Sequence, residues 1–302
     1  MKKANRTHVW ILITILFSFL LQSSVLASTK VMVIGDSWGD GLSDPLDKQF
    51  EDHGHGDWDV VNFAVSGSTA DVYANNVGGV LDATLTALAT TPSIEVVFIS
   101  LGGNDLFGGY ISQGTGIFNL IEDDLRLIVS QIISVRPDVD ILFSGYDILK
   151  FDKSNFCLAF AFSQFGVIYP WEVMPLFIEI GQRQQNIADD FVEVTHLDLF
   201  GTGQGNPGAP NILEWSPSSY IAESDEDCLH LSDSGHYEFT KAMYCRFFAP
   251  RFSETCTPLN CNIATGTIGR VRADHSAIGT LLFIILLPIG AVYFWKCRMK
   301  GM

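Results

Sequence analysis

The chain has 302 residues, 47% of them hydrophobic, which is enough for one sizeable core plus appendages. A formal net charge of −16 repels nucleic acid and anionic lipid headgroups, so neither is expected as a bulk partner.

Residues 1–27 read as a secretory signal. Lys2, Lys3 and Arg6 precede an uncharged apolar run from Val9 to Leu21, and Val25-Leu26-Ala27 has the small-residue spacing of a cleavage site. An uncut membrane anchor is the competing reading of the same stretch. Residues 28–255 form the expected exported domain. Within it Val31 to Ile34 is a short apolar run, suited to a strand buried on both faces. It ends in Gly35-Asp36-Ser37-Trp38-Gly39, which brings a hydroxyl to the carboxyl end of a strand, where open α/β sheets bind ligands.

Asp40 to Asp57 is polar and turn-rich. Its His53 and His55, flanked by Asp52 and Asp57, are expected on a solvated loop rather than on a metal, because glycine-separated ligands hold no fixed geometry. Trp58 to Val65 reads as a second strand, ending in Ser66-Gly67-Ser68, and Val72 to Ala89 as a helix weakened by Gly78-Gly79. A third strand, Ile94 to Leu101, stops at Gly102-Gly103-Asn104-Asp105, whose glycine spacing fits neither a Walker A loop nor a dinucleotide fingerprint. Leu120 to Val135 has apolar residues at helical spacing and is ended by Pro137; Asp140 to Gly145 is a fourth strand.

Residues 150–180 depart from the pattern, with eight aromatic residues and few charges. Two readings stand side by side: a packed helical insertion, or a lid or wall of an acyl pocket. Helix to Asp190, a fifth strand from Val192 to Leu197 and a Gly/Pro-rich loop to Ser219 follow. Asp227-Cys228-Leu229-His230 then precedes a helix capped by Ser232 and running to Phe247. Strands alternating with helices predict a parallel sheet in an α/β sandwich.

Residues 256–275 read as a polar stalk. Residues 276–295 hold no charge, long enough to cross a hydrocarbon core of ~30 Å, and the basic tail 296–302 orients that helix with its C-terminus in the cytoplasm. A removable sorting tail has the same sequence signature. Six of the 18 basic residues lie in the two ends, leaving 12 against all 34 acidic ones, a net −22 on the exported body. Cys157, Cys228, Cys245, Cys256 and Cys261 fall in an oxidising space. Cys256 and Cys261 lie close enough for a local disulfide, and five being odd, one thiol is left over or pairs between chains. No second close cysteine or histidine pair completes a zinc site.

Acyl transfer needs a nucleophile, a base, a group that orients the base, and donors for the oxyanion. Ser37 can be the nucleophile and His230 the base, with Asp227 three residues earlier to fix its tautomer. Gly67 and Asn104 each follow a separate strand. The N–H groups of Ser37 and Gly67 and the Asn104 amide can therefore converge as an oxyanion hole. Four blocks in order, Gly35-Asp36-Ser37-Trp38, Asn62 to Gly67, Gly102 to Asp105 and Asp227 to Ser232, resemble the SGNH or GDSL hydrolases over residues 30–250.

The resemblance implies a flavodoxin-like three-layer α/β/α sandwich on a mostly parallel five-stranded sheet. It also implies ester or thioester hydrolysis without a cofactor or metal. Ser37, Asp227 and His230 would form the triad, with Ser37, Gly67 and Asn104 in the oxyanion hole. Trp38 departs from the family's usual Leu. Gly35 to Gly39 also satisfies the nucleophile-elbow pattern of α/β-hydrolases, but Ser37 follows the first strand, and Asp227 and His230 share one loop, which that fold does not do. The expected activity is that of an esterase or lipase on a small or lipid-like ester, including lysophospholipids and thioesters. A carbohydrate O-acetyl esterase competes within enzymes, and a silent ligand-binding or adhesion domain outside them.

Overall fold

The computed structural model describes residues 29–224 and 227–256. The expected signal, spanning helix and tail lie outside the described residues, as does all of the stalk except Cys256. No single helix among the described residues is long and apolar enough to cross a membrane.

Five strands form one parallel sheet: β1 (Thr29–Gly35), β2 (Asp59–Asn62), β3 (Val96–Ser100), β4 (Asp140–Phe143) and β5 (Val194–His196), in the order β2-β1-β3-β4-β5. The chain steps from β1 outward to β2, then returns to lay β3 on the other side of β1. A crevice opens where the order reverses, between the carboxyl ends of β1 and β3. The apolar runs predicted as strands are the sheet's centre: Val31 to Ile34 and Val96 to Ile99 are fully buried. A parallel sheet buried on both faces must be covered on both.

Two groups of helices do this. Helix α1 (Ser37–Asp52) packs on α8 (Asp233–Met243). The other group joins α2 (Ala70–Ala74), α3 (Val80–Thr90), α4 (Gly103–Gln113), α5 (Ile117–Val135) and α7 (Pro170–Asp190), with α6 (Asn155–Phe165) against α4.

Helix α1 corrects the reading of Asp40 to Asp57 as turn-rich. Gly39, Gly41, Ser43 and Pro45 lower its intrinsic propensity, yet Trp38, Leu42, Leu46 and Phe50 recur every fourth residue and are all buried. Burying Leu42, Leu46 and Phe50 gains about 1.5–3 kcal/mol each, more than the propensity deficit of any one residue. Gly41 also has a purpose, since the His236 ring of α8 occupies the space that a Cβ there would need.

The single helix expected over Val72 to Ala89 is two. Left-handed Asn76, Gly78 and Gly79 break it between α2 and α3. Helix α4 was not anticipated beyond the Gly-Gly-Asn-Asp turn at its start. The helix expected to run from Ser232 to Phe247 is α-helical to Met243 and π-helical from Tyr244 to Phe248. His53 is exposed and His55 half-buried, as a solvated segment predicts, but both also meet Glu254, at 3.4 and 2.8 Å, and stack on Tyr244 and Phe252.

Candidate active site

Strand β1 ends at Gly35, where a Cβ would collide with the Ser100 carbonyl of β3, so only glycine permits this close approach. Asp36 follows, donating its N–H to that carbonyl at 2.9 Å and capping α1 by accepting from the Trp38 N–H at 2.9 Å. Ser37 is therefore the first residue of a helix, where N–H groups lack intrahelical acceptors and the dipole favours negative charge.

His230 reaches Ser37 from the far end of the chain. Its Nε2 lies 2.8 Å from Ser37 Oγ, and its Nδ1 lies 3.1 and 3.0 Å from the two carboxylate oxygens of Asp227. Because the carboxylate can only accept, it holds the proton on Nδ1 and leaves the Nε2 lone pair facing the hydroxyl. Burial pushes the Asp227 carboxyl up, but the N–H groups of His230 and Leu229 and the imidazole outweigh it and hold it below the usual range.

The three residues expected at the oxyanion hole line the same cleft as Ser37 and His230. Gly67 has φ of +82° and nothing within 4 Å of a Cβ position, so the backbone turn, and not crowding, requires glycine there. Asn104 sits in the first turn of α4 and gives one amide hydrogen to the Ser68 carbonyl at 2.9 Å. Its second amide hydrogen is thereby oriented and available. Each contributor follows a different strand: Ser37 β1, Gly67 β2 and Asn104 β3.

Sequence reasoning missed Tyr146, just beyond β4. Its hydroxyl donates to Asp36 at 2.5 Å and accepts from the Gly103 N–H at 2.8 Å, tying the turns after β1, β3 and β4 together beneath the cleft. Its position at a strand's carboxyl end was the available signal. Burial raises the Asp36 carboxyl to about 6 against the opposing pull of the Tyr146 and Trp38 hydrogen bonds, and burial beside Asp36 lifts the Tyr146 hydroxyl far above its ordinary value.

The cleft has a volume of about 360 Å³ and is walled by Phe107, Tyr146, Leu149, Phe177 and Leu229. Residues 150–180 are the packed helical insertion, and one of their side chains also reaches the cleft wall. Phe151 and Phe165 pack in the core, while Phe177 faces the cleft and lies with Phe165 around Phe107. Cys157 of this insertion forms a disulfide with Cys228, inside the Asp227 to His230 segment. Cys245 and Cys256 are disulfide-bonded as well; Cys261 lies outside the described residues. Among the described residues no group of three or more His, Cys, Asp or Glu side chains is arranged to hold a metal.

A family model described as GDSL-like lipase/acylhydrolase matches residues 33–237, about two thirds of the chain and every element of the cleft. The chain belongs to the GDSL-like lipase/acylhydrolase family. Among curated proteins none matches its sequence. This GDSL hydrolase is similar in fold to a solved protein from Streptococcus pneumonia provisionally assigned as a platelet activating factor. The identity is 17%, the TM-score 0.53, and the match covers 80% of this chain and 98% of that one. Lower TM-scores go with a provisionally assigned GDSL-like lipase from Parabacteroides merdae (13% identity, 72% and 94% covered, 0.49). A catalytic mutant of an acetylxylan esterase from Geobacillus stearothermophilus scores lower still (15% identity, 73% and 94% covered, 0.46). At such identities the likeness concerns the fold alone. The Trp38 ring, next to Ser37, is buried edge-on between Tyr146 and Phe239, and its Nε1–H donates to the Leu229 carbonyl at 3.1 Å.

Proposed function

We propose that this hydrolase cleaves carboxylic esters through an acyl-enzyme on Ser37. The observation that carries the reading is the unbroken line from Asp227 through the His230 imidazole to the Ser37 hydroxyl, with both links at about 3 Å. As Ser37 Oγ bonds to the ester carbonyl carbon, its proton passes to His230 Nε2 and the imidazolium is stabilised by Asp227. The carbonyl oxygen becomes an oxyanion facing the N–H groups of Ser37 and Gly67 and the Asn104 amide. Collapse breaks the bond to the alcohol oxygen, which leaves with the proton from His230. Water then repeats the sequence on the acyl-enzyme, losing a proton to His230 as the acid departs and Ser37 is restored.

The apolar wall of Phe107, Leu149, Phe177 and Leu229 favours an acyl chain over an acetyl group, because an acetyl would leave most of that surface against water. A lipid-like ester or thioester is therefore the favoured substrate class. The Cys157–Cys228 disulfide agrees with an oxidising compartment, so the reading includes export, with the apolar segment 276–295 as tether.

A fluorophosphonate probe should label the protein at Ser37, and Ser37→Ala should abolish both labelling and turnover. A rate profile over acyl chain length on the same preparation should rise from acetyl to medium chains. Turnover surviving in Ser37→Ala would overturn the serine mechanism, and a maximum at acetyl would overturn the acyl-chain assignment.

A further inference from the structure

Asp227 and His230 lie on a loop whose own bonds set them against each other: the Asp227 N–H donates to the Ser224 carbonyl at 3.0 Å, and the Leu229 and His230 N–H groups donate to Asp227 Oδ1 at 3.1 and 3.0 Å. Its neck is closed by an isolated antiparallel bridge between Ile221 and Leu231, with the Ala222 N–H donating to the His230 carbonyl at 3.0 Å. What holds the loop against the rest of the molecule comes from elsewhere in the chain. The Lys153 ammonium donates to the carbonyls of Ala222, Ser224 (2.7 Å) and Asp227 (3.2 Å). An ammonium has three hydrogens, and here each has a carbonyl of the same loop.

The next carbonyl, Cys228, accepts from the Lys150 N–H at 3.3 Å, and the one after, Leu229, accepts from Trp38 Nε1–H. Between those contacts Cys228 is bonded through sulfur to Cys157 at the start of α6, and both cysteines are buried. Three successive carbonyls and one side chain of the acid–base segment are thus held from outside, most of them by residues 150–157.

We propose that residues 150–157 are the positioning element of the acid–base pair, with Lys153 gripping the loop backbone and the Cys157–Cys228 disulfide tethering it so that His230 faces Ser37. This rests on the serine-hydrolase reading above. Neither residue touches substrate; both act through the loop. Proton transfer tolerates little error, since a misplacement of ~1 Å can lower the rate about 10²-fold. The loop's internal bonds set His230 against Asp227, whereas the contacts from Lys153, Cys157 and Trp38 set the loop against the rest of the molecule and so against Ser37.

The test uses the full chain and a soluble p-nitrophenyl butyrate substrate. Lys153→Met keeps the length of the side chain but removes its donors; kcat should fall between about tenfold and about 10²-fold with KM within about twofold. Lys153→Arg, which keeps donors and charge, should recover most of the loss. The paired change Cys157→Ser with Cys228→Ser alters no charge. Loss of the tether should therefore appear as a lower kcat with KM within about twofold. Wild-type kcat in both the Lys153→Met and the cysteine variants would overturn the proposal. So would loss of activity only together with loss of the fold by thermal unfolding, because the segment would then be structural. Ser37→Ala separates the two readings. If it stays active, the site assignment fails; if it is dead while these variants are normal, only the positioning role fails.

Discussion

The two halves of the cleft are held by different means. Ser37, Gly67 and Asn104 stand at the ends of three adjacent parallel strands, so sheet hydrogen bonds and the helices that start there set their spacing. Asp227 and His230 stand on a loop stitched to the insertion by a disulfide and an ammonium, and to α1 by the Trp38 indole. The first half inherits its geometry from regular structure, whereas the second depends on individual side chains. A substitution in the first half should therefore act on chemistry with little effect on alignment, and one in the second on alignment first.

The largest expected effect lies in the sheet-edge half. Asn104→Ala removes the amide proposed as an oxyanion donor and should lower kcat by about 10²–10³ while leaving the melting temperature within a few degrees. A wild-type kcat in that variant would break the comparison, because the strand-end residues would then not bear on the reaction.

A smaller effect is expected at the seam between the halves. Trp38→Phe keeps a ring between Tyr146 and Phe239 but loses the N–H to the Leu229 carbonyl. One lost hydrogen bond of this kind costs about 0.5–1.5 kcal/mol of stability, and kcat should drop only severalfold, since the disulfide and Lys153 still hold the loop. A loss as large as that of Asn104→Ala would show that the indole, and not the insertion, aligns the two halves.

The smallest effect is a pH slope. The two acids of the cleft shift in opposite directions, Asp36 upward to about 6 and Asp227 downward. An unfolded Asp titrates near 3.8, so the native state binds the Asp36 proton more tightly than the unfolded chain does. The stability from this preference is complete below about 3.8 and is lost as pH rises through about 6. Asp227 has the reverse sign: its contribution is present above about 3.8 and is lost as pH falls below it. In Asp36→Asn the first slope should vanish. Melting curves should show the advantage of wild type over the variant shrinking by a few degrees between pH 4 and 6.5, then flat. Parallel curves over that range would mean Asp36 does not carry the shift.

Legibility in the sequence followed the same division. Val31 to Ile34 and Val96 to Ile99 were readable as buried strands because an uninterrupted apolar run has few other places to go. With those strands located, the residues just beyond them were candidates for the site, and Ser37, Gly67 and Asn104 do line one cleft with His230, behind which Asp227 sits on Nδ1. Helix α1 was not readable, since Gly39, Gly41 and Pro45 argue locally for turns. Only the packing of Leu42, Leu46 and Phe50 in the core, and of Gly41 against His236, makes the helix the better choice. The roles of Tyr146, marked only by its place at a strand's end, and of Lys153 were hidden for a related reason: each acts on residues dozens of positions away, 110 for the Tyr146–Asp36 bond and 69 to 74 for Lys153 and its carbonyls.

By itself, then, the sequence determined which residue types were available for acyl transfer and the order in which strands deliver them, because apolar runs and glycine stops act within a few residues. The partners of the cysteines, the aromatic wall of the cleft and the grip on the acid–base loop were decided only by the tertiary structure. Those contacts join segments with no local pattern in common, and their energy exists only once the sheet has brought the segments together.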